Sequence, residues 1–358
     1  MRVAILYYPM LFQRTGGLQV QVRETTKALQ AIGVNAELFD YGKHKLTDFN
    51  IAHVFSPING NHRIVEQAKN DGLKVVLSTV LHPPWSRFQN KRADFSSRLA
   101  ERLSGWSQSS THQHIHSALT LSDAVIALGV AERDMLMSGY RTPRPKLHIV
   151  PNGIKEAFFS ANEEIFRQHF GITGKYALNV ASVSPYKNQM TALQALKGKV
   201  PLVVIGPCAK ENHAYLKEMQ DFGGEWFRYL GVLDNDDPAL PSAYAGASLF
   251  ILPSLSEVQP ISALEALAAN CPVIITNNHS LDMLAGQEML KETSPTDVQA
   301  ISNAASTFLS MNIESHEIST QVSTLTWKKA AYKIQNIYLN LGGQVTEGPE
   351  KSPQAIQD

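Results

Sequence analysis

Cysteine is scarce in this chain: 358 residues carry two, Cys208 and Cys271. Thiols this few and far apart build no disulfide framework, and no Cys-x-x-Cys suggests a zinc site. The usage fits a reducing compartment. Long apolar runs are missing too. No stretch of about 18 apolar residues occurs, so no membrane-spanning helix is expected. Met1-Arg2 leads straight into Val3-Ala4-Ile5-Leu6-Tyr7. That reads as a first strand rather than the apolar centre of a secretory leader, and a cytoplasmic location is expected. Net charge is absent, with 32 Lys and Arg against 32 Asp and Glu. With no base-stacking platform apparent, this argues against nucleic acid.

The charge that is present is unevenly spread. Residues 1–150 hold 18 Lys and Arg against 11 Asp and Glu, and the remainder 14 against 21. A basic half joined to an acidic half suggests different partners for each. At 44% hydrophobic and 18% charged residues, each half can bury a core, and the length suggests two domains.

Short Val- and Ile-rich runs alternate with helical patterns, as expected of strands buried on both faces. Strands are expected at Val3–Tyr7, Val34–Phe39, Ile51–Phe55, Lys74–Thr79, Ala124–Leu128 and His148–Val150. A second series runs through Tyr176–Val180, Leu202–Ile205, Phe227–Leu230, Leu249–Leu252 and Val273–Thr276. Leu18, Val22, Thr25, Leu29 and Ile32 fall on one face of a helix between the first two strands. Repeated strand–helix units predict parallel sheets covered by helices. The turn Val150-Pro151-Asn152-Gly153-Ile154 separates the two series. The expected division is therefore 1–150, 151–325, a C-terminal helix over 326–341 and a disordered tail over 342–358, which has almost nothing apolar to bury.

Two segments stand apart. His112, His114 and His116 are two residues apart, a spacing that on a helix points them to different faces, so they are not expected to share a metal. Residues 85–106 interleave Trp85, Phe88, Phe95, Leu99, Leu103 and Trp106 with Arg87, Lys91, Arg92, Arg98 and Arg102. This reads as helix with a basic face, either simply solvated or resting on a membrane surface.

The pattern richest in chemistry is Pro253-Ser-Leu-Ser-Glu257-Val258-Gln259-Pro260-Ile261-Ser-Ala-Leu-Glu265, followed by Ala-Leu-Ala-Ala-Asn-Cys-Pro-Val-Ile-Ile. A buried strand ends in a loop bearing Glu257, and Pro260 suits the start of the next helix. Free N–H groups and the positive dipole end at such a helix start suit a diphosphate. Carboxylates accept hydrogen bonds from vicinal hydroxyls. Two of them eight residues apart, one in the loop and one in the helix, can grip opposite ends of one nucleotide-sugar.

This stretch resembles retaining glycosyltransferase family 4, whose signature is Glu, seven residues and a second Glu, then a small-residue helix and Pro-Val-Ile. The resemblance extends over most of the chain. Thr15-Gly16-Gly17 is similar to the family's glycine-rich loop, Val150–Ile154 to its linker, and Val180-Ala-Ser-Val-Ser-Pro-Tyr-Lys187-Asn188 to its strand and basic loop. The fold it implies is α/β of the GT-B type: two Rossmann-like domains whose parallel sheets face each other across a cleft. It implies that Glu265 binds the donor ribose, that Glu257 contacts the transferred sugar, and that Lys187 neutralises the diphosphate. His82 would line the acceptor side near the sugar, and Gly16 and Gly17 would let backbone approach the donor phosphates or the acceptor.

The chain departs from that pattern at three places. Ser182 stands where the family usually has an arginine on the diphosphate. Val258-Gln259-Pro260 replaces Gly-Phe-Gly, which with Ile261 places a changed surface in the expected donor pocket. Lys155 takes the place of an aspartate. The resemblance implies a retaining hexosyltransferase that uses a nucleotide-sugar, GDP- or UDP-linked, and neither metal nor cofactor. The expected acceptor is a glycan or a polyprenyl-diphosphate-linked glycan in bacterial surface polysaccharide assembly, with the protein resting on the cytoplasmic face of the inner membrane. A nucleotide-sugar epimerase or a catalytically degenerate scaffold on the same fold are the alternatives.

Overall fold

The computed structural model describes residues 1–13, 16–81, 111–284, 286–311 and 317–342. The basic-aromatic segment 85–106, and the expected tail apart from Gly342, lie outside them. Six strands form the first sheet: β1 (Arg2–Leu6), β2 (Asn35–Leu38), β3 (Ile51–Phe55), β4 (Lys74–Ser78), β5 (Ala124–Ala127) and β6 (Leu147–Ile149). Their order is β2-β1-β3-β4-β5-β6. The second sheet holds β7 (Ala177–Val180), β8 (Leu202–Ile205), β9 (Phe227–Tyr229), β10 (Leu249–Leu252), β11 (Val273–Thr276) and β12 (Leu290–Thr293). Their order is β12-β11-β10-β7-β8-β9, and the pairings in both sheets are parallel.

Alternation along each strand feeds two cores. In β3, Ile51 and Phe55 join Val22 and Leu29 on one face, while Ala52 and Val54 join Val65 and Ala68 on the other. In β8, Val203 and Ile205 face one layer and Leu202 and Val204 the opposite one. Each such buried Val, Leu, Ile or Phe side chain contributes about 1.5–3 kcal/mol of transfer free energy, which is why both faces of these strands read as apolar. Eleven of the twelve strands coincide with the runs picked out above. The twelfth, Leu-Lys-Glu-Thr at β12, was not expected: only its end residues are buried, and Lys291 and Glu292 break the apolar run.

The chain crosses between the two units twice. It leaves the first sheet through Val150–Ile154 and returns through Leu325–Trp327 into the helix Trp327–Asn340. The crossings lie side by side, with the Ile154 N–H donating to the Leu325 carbonyl at 2.9 Å. A Cβ on Gly153 would sit 2.2 Å from the Trp327 nitrogen, so only glycine admits this contact. The returning helix buries Ala330, Ala331, Ile334, Ile337 and Tyr338 against the helix Gly17–Ala31 and the first sheet. The Tyr338 hydroxyl meets His53 Nδ1 at 2.6 Å, and His53 Nε2 meets Ser78 Oγ at 2.8 Å. Burial pushes the His53 imidazole down to about 3, so it is a neutral member of the core.

Candidate active site

A cavity of about 410 Å³ opens between the two units. Gly16, Gly17, Arg23, Glu24 and Lys27 line it from the first unit, and Ser182, Lys187, Glu257 and Glu265 from the second. This is the region beyond the C-terminal ends of β7, β8 and β10, where open parallel sheets bind ligands.

Glu257 is buried in the loop after β10, and its backbone N–H donates to the Asn278 carbonyl at 2.8 Å. Its carboxylate accepts a 2.6 Å charge-assisted hydrogen bond from Lys187 Nζ. Lys187 sits in a turn after β7 that is pinned from both sides. Its N–H donates to the Ser184 carbonyl, and the Asn188 side chain donates to Pro253 O at 3.0 Å and Pro295 O at 2.7 Å. Asn188 has a φ of 59°, a left-handed conformation that asparagine tolerates better than most residues.

The helix Ile261–Ala268 begins on the cleft wall, where Pro260, Ile261 and Ser262 face the cavity. First-turn N–H groups have no acceptor within their own helix, so those of Ile261 and Ser262 mark the anion-favouring end. One turn further in, Glu265 is buried and lines the same cavity. Tyr244, from the helix Ala239–Ala245, donates its hydroxyl to Glu265 Oε2 at 3.1 Å. Burial pushes the Glu265 carboxyl up to about 8, against the opposing pull of the Tyr244 hydrogen bond and the Lys155 charge.

Other expected site residues fall differently. Ser182 lines the cavity, and its carbonyl accepts from Gln189 Nε2 at 2.9 Å. Gly16 and Gly17 also line it, with no atom within 4 Å of where a Cβ would stand on either. Pro260 and Ile261 face the cavity, but Val258 and Gln259 do not, which corrects their expected place in the donor pocket. Gln259 is instead a buried link between the units. Its Oε1 accepts the Asn152 N–H at 2.6 Å, its Nε2 donates to Leu128 O at 3.0 Å, and its carbonyl accepts from Asn152 Nδ2 at 3.0 Å. The physical reason is the backbone pairing of Ser280 N–H to Val258 O at 2.6 Å, which holds this part of the loop against its neighbour. His82 lies outside the described residues.

Glu24, Lys27 and Asp236 line the cavity without a role in the sequence reading, and Lys155 beside them joins them in a network. Glu24 and Lys155 approach to 3.4 Å, Lys155 and Asp236 to 2.6 Å, and Lys27 and Asp236 to 3.5 Å, a chain of alternating charges from one unit to the other. The signal for Glu24 was a second stripe on the first helix, Gly17, Val20, Glu24 and Lys27, all of which line the cavity. Asp234-Asn235-Asp236, an Asp-x-Asp string, also lines the cleft. Lys155 engages its Asp236, and among the described residues no three His, Cys, Asp or Glu are grouped to hold a metal. His112 stacks on Tyr140 and His114 on His62, so those two histidines diverge.

Residues 161–323 match the family model described as glycosyl transferases group 1. Over 177 residues, 46% of this chain and 45% of the relative, the sequence is 31% identical to O-antigen chain mannosyltransferase B of Escherichia coli. The alignments span less than half the length of such curated relatives. Among solved structures, sucrose-phosphate synthase from Thermosynechococcus elongatus superposes with a TM-score of 0.75 at 15% identity, covering 96% of this chain and 99% of that one. HepE of Anabaena in complex with UDP gives 0.72 at 13%, covering 95% and 100%. At these identities the superpositions show the fold, and that fold is GT-B.

Proposed function

We propose that this chain, whose residues 161–323 match the glycosyl transferases group 1, transfers a hexose from a GDP- or UDP-linked donor to a glycan or polyprenyl-diphosphate-linked glycan. The observation that carries the reading is the convergence of Glu257, Lys187 and Glu265 on one cavity at the start of the Ile261–Ala268 helix. A nucleotide-sugar has a vicinal diol at the ribose, a diphosphate in the middle and a hydroxylated ring at the far end. Glu265 suits the first, Lys187 with the helix start suits the second, and Glu257 suits the third.

As the bond to the anomeric carbon breaks, negative charge grows on the departing nucleoside diphosphate. Preorganised positive groups stabilise that charge more in the transition state than in the ground state. Lys187 and the first-turn N–H groups supply them, so the proposed mechanism asks for no metal. Glu257 is held against Lys187 at 2.6 Å, which suits a sugar-orienting and electrostatic role better than a covalent nucleophile. Retention of anomeric configuration is part of the proposal. The setting we propose is bacterial surface polysaccharide assembly on the cytoplasmic face of the inner membrane, with residues 85–106 as the membrane contact. It is supported by the E. coli relative's name and by the basic balance of residues 1–150. No helix among the described residues is long and apolar enough to cross a membrane.

The test is a donor screen. Thermal unfolding is followed with GDP-mannose, UDP-glucose, UDP-galactose and UDP-N-acetylhexosamines, since a ligand of the native state raises its stability by mass action. The stabilising donor is then incubated with candidate acceptors in EDTA, and the product's anomeric configuration is read by NMR. Transfer with retention in EDTA is the expected result. An isomerised nucleotide-sugar without transfer makes the protein an epimerase, and donor binding without turnover makes it a scaffold.

A further inference from the structure

We infer that Tyr244 is a positioning residue for nucleotide binding, holding one oxygen of Glu265 so that the other faces the ribose. The inference rests on the reading of Glu265 as the ribose ligand and adds the residue that orients it. Tyr244 does not line the cavity. It is fully buried, its ring edge-on to Phe158 at 5.5 Å and stacked with Phe250 at 5.6 Å. A phenylalanine would fill that apolar space as well, so packing alone does not explain the hydroxyl. A buried phenol needs a hydrogen-bond partner, and the one this hydroxyl donates to is Glu265 Oε2 at 3.1 Å.

The consequence lies on the other oxygen. Among the described residues, no side chain other than Tyr244 donates a hydrogen bond to the Glu265 carboxylate. Oε2 is therefore engaged inside the protein, and Oε1 is left for a ligand in the cavity that Glu265 lines. A phenol can donate but is a poor acceptor for a protonated carboxyl in competition with a ribose hydroxyl. It thus favours the carboxylate as acceptor towards the diol. Lys155 acts in the same direction and Glu24 in the opposite one. A ribose with both hydroxyls should be preferred over one lacking the 2′-hydroxyl, and the preference should depend on Tyr244.

The experiment titrates UDP, 2′-deoxy-UDP, GDP and 2′-deoxy-GDP into the full chain by calorimetry above pH 8, where the Glu265 carboxyl is ionised, with UMP and GMP as references for the diphosphate. A hydrogen bond to a charged group is worth about 1.5–3 kcal/mol, or roughly a 10- to 100-fold preference for the ribonucleotide that binds. Tyr244→Phe is expected to cut that preference to threefold or less while leaving the diphosphate-over-monophosphate ratio unchanged. A loss of fold would lower both together. Glu265→Gln supplies a second test that does not alter the tyrosine. With Tyr244 holding the amide oxygen, the amide NH₂ faces the ribose, where it can donate to one hydroxyl but cannot accept from the diol; the preference is expected to fall to that of a neutral hydrogen bond, roughly 10-fold or less. Glu265→Ala separates the two levels of the argument. If it keeps the preference, the ribose assignment of Glu265 is wrong. If it loses the preference while Tyr244→Phe and Glu265→Gln retain it, the role given to Tyr244 is wrong and the site reading stands.

Discussion

Asp282 of the second unit caps a helix of the first. Its Oδ2 accepts the N–H of Val130 at 2.6 Å and of Ala131 at 3.1 Å, at the start of the helix Val130–Tyr140. Gly129 just before them approaches so closely that a Cβ there would lie 2.3 Å from the Ser280 carbonyl. The segment that makes this contact also holds the loop that bears Glu257, through Glu257 N–H to Asn278 O and Ser280 N–H to Val258 O. Docking of the two units and placement of Glu257 are thus one event.

Replacing Asp282 with alanine therefore acts at two levels. The lost cap costs about 0.5–2 kcal/mol of stability, and the units separate more easily. Small-angle scattering should show a larger radius of gyration, and turnover should fall by more than the stability loss explains. An unchanged radius with unchanged turnover would reduce Asp282 to an ordinary cap.

Lys187→Ala removes the partner of a buried carboxylate as well as the cation proposed for the diphosphate. Turnover is expected to drop on the order of 10²–10³-fold, the usual result of deleting one preorganised donor. Glu257→Ala should also lower turnover while nucleotide affinity holds, whereas Glu265→Ala should weaken nucleotide binding. Steady-state kinetics beside calorimetry distinguish the three, and full activity in both glutamate variants would remove the assignment.

Glu265 makes stability depend on pH. The folded protein keeps its proton up to about 8, whereas the carboxyl ordinarily titrates at 4.5. Its contribution is therefore fully present below about pH 4.5 and is lost as pH rises through 8, at up to about 1.4 kcal/mol per pH unit for one proton. Chemical denaturation at half-unit steps should show this slope in the wild type and a flatter profile in Glu265→Gln. Binding of a UDP- or GDP-sugar should run the other way and tighten towards pH 8, because the ionised carboxylate is the better acceptor for ribose hydroxyls. Parallel stability profiles for the two proteins would contradict the burial argument.

Gly153→Ala should be among the most damaging small substitutions. The new methyl would stand 2.2 Å from the Trp327 nitrogen and 2.4 Å from its Cα, so two backbones must part. Overpacking of this kind costs about 1–3 kcal/mol, and urea denaturation measures it. Gly17→Ala, with nothing within 4 Å of the added methyl, should fold as the wild type does and lose donor affinity alone.

What could be read from sequence was what is local. Buried parallel strands are continuous apolar runs, so β3, β8, β10 and β11 coincide with their expected limits, and β12 escaped because Lys291 and Glu292 interrupt it. Glu257 and Glu265 stand eight residues apart in a single loop and helix, a distance within which a pattern has meaning. Gln259 and Asp282 could not be read this way. Their partners Asn152 and Val130 are 107 and 152 residues away in the chain, and a polar side chain carries no mark of which distant backbone it meets. Gln259 is next to Pro260, which faces the cavity, yet the loop turns its side chain towards the linker. Tyr244 was hidden for the opposite reason: in an apolar helix a tyrosine reads as core, and only the 3.1 Å contact shows its hydroxyl to be directed at Glu265.

The double crossing has a consequence for synthesis. The helix Trp327–Asn340 that covers part of the first sheet is synthesised only after residues 161–323. Domains generally fold as units in the order of their synthesis, but here the first unit lacks one of its packing helices until the second has been synthesised. The first unit waits with Val22, Leu29 and Ile126 uncovered until Ile334, Ile337 and Tyr338 arrive. During translation the first unit therefore keeps an apolar face open until the end of the chain arrives, and that face is where a chaperone would bind.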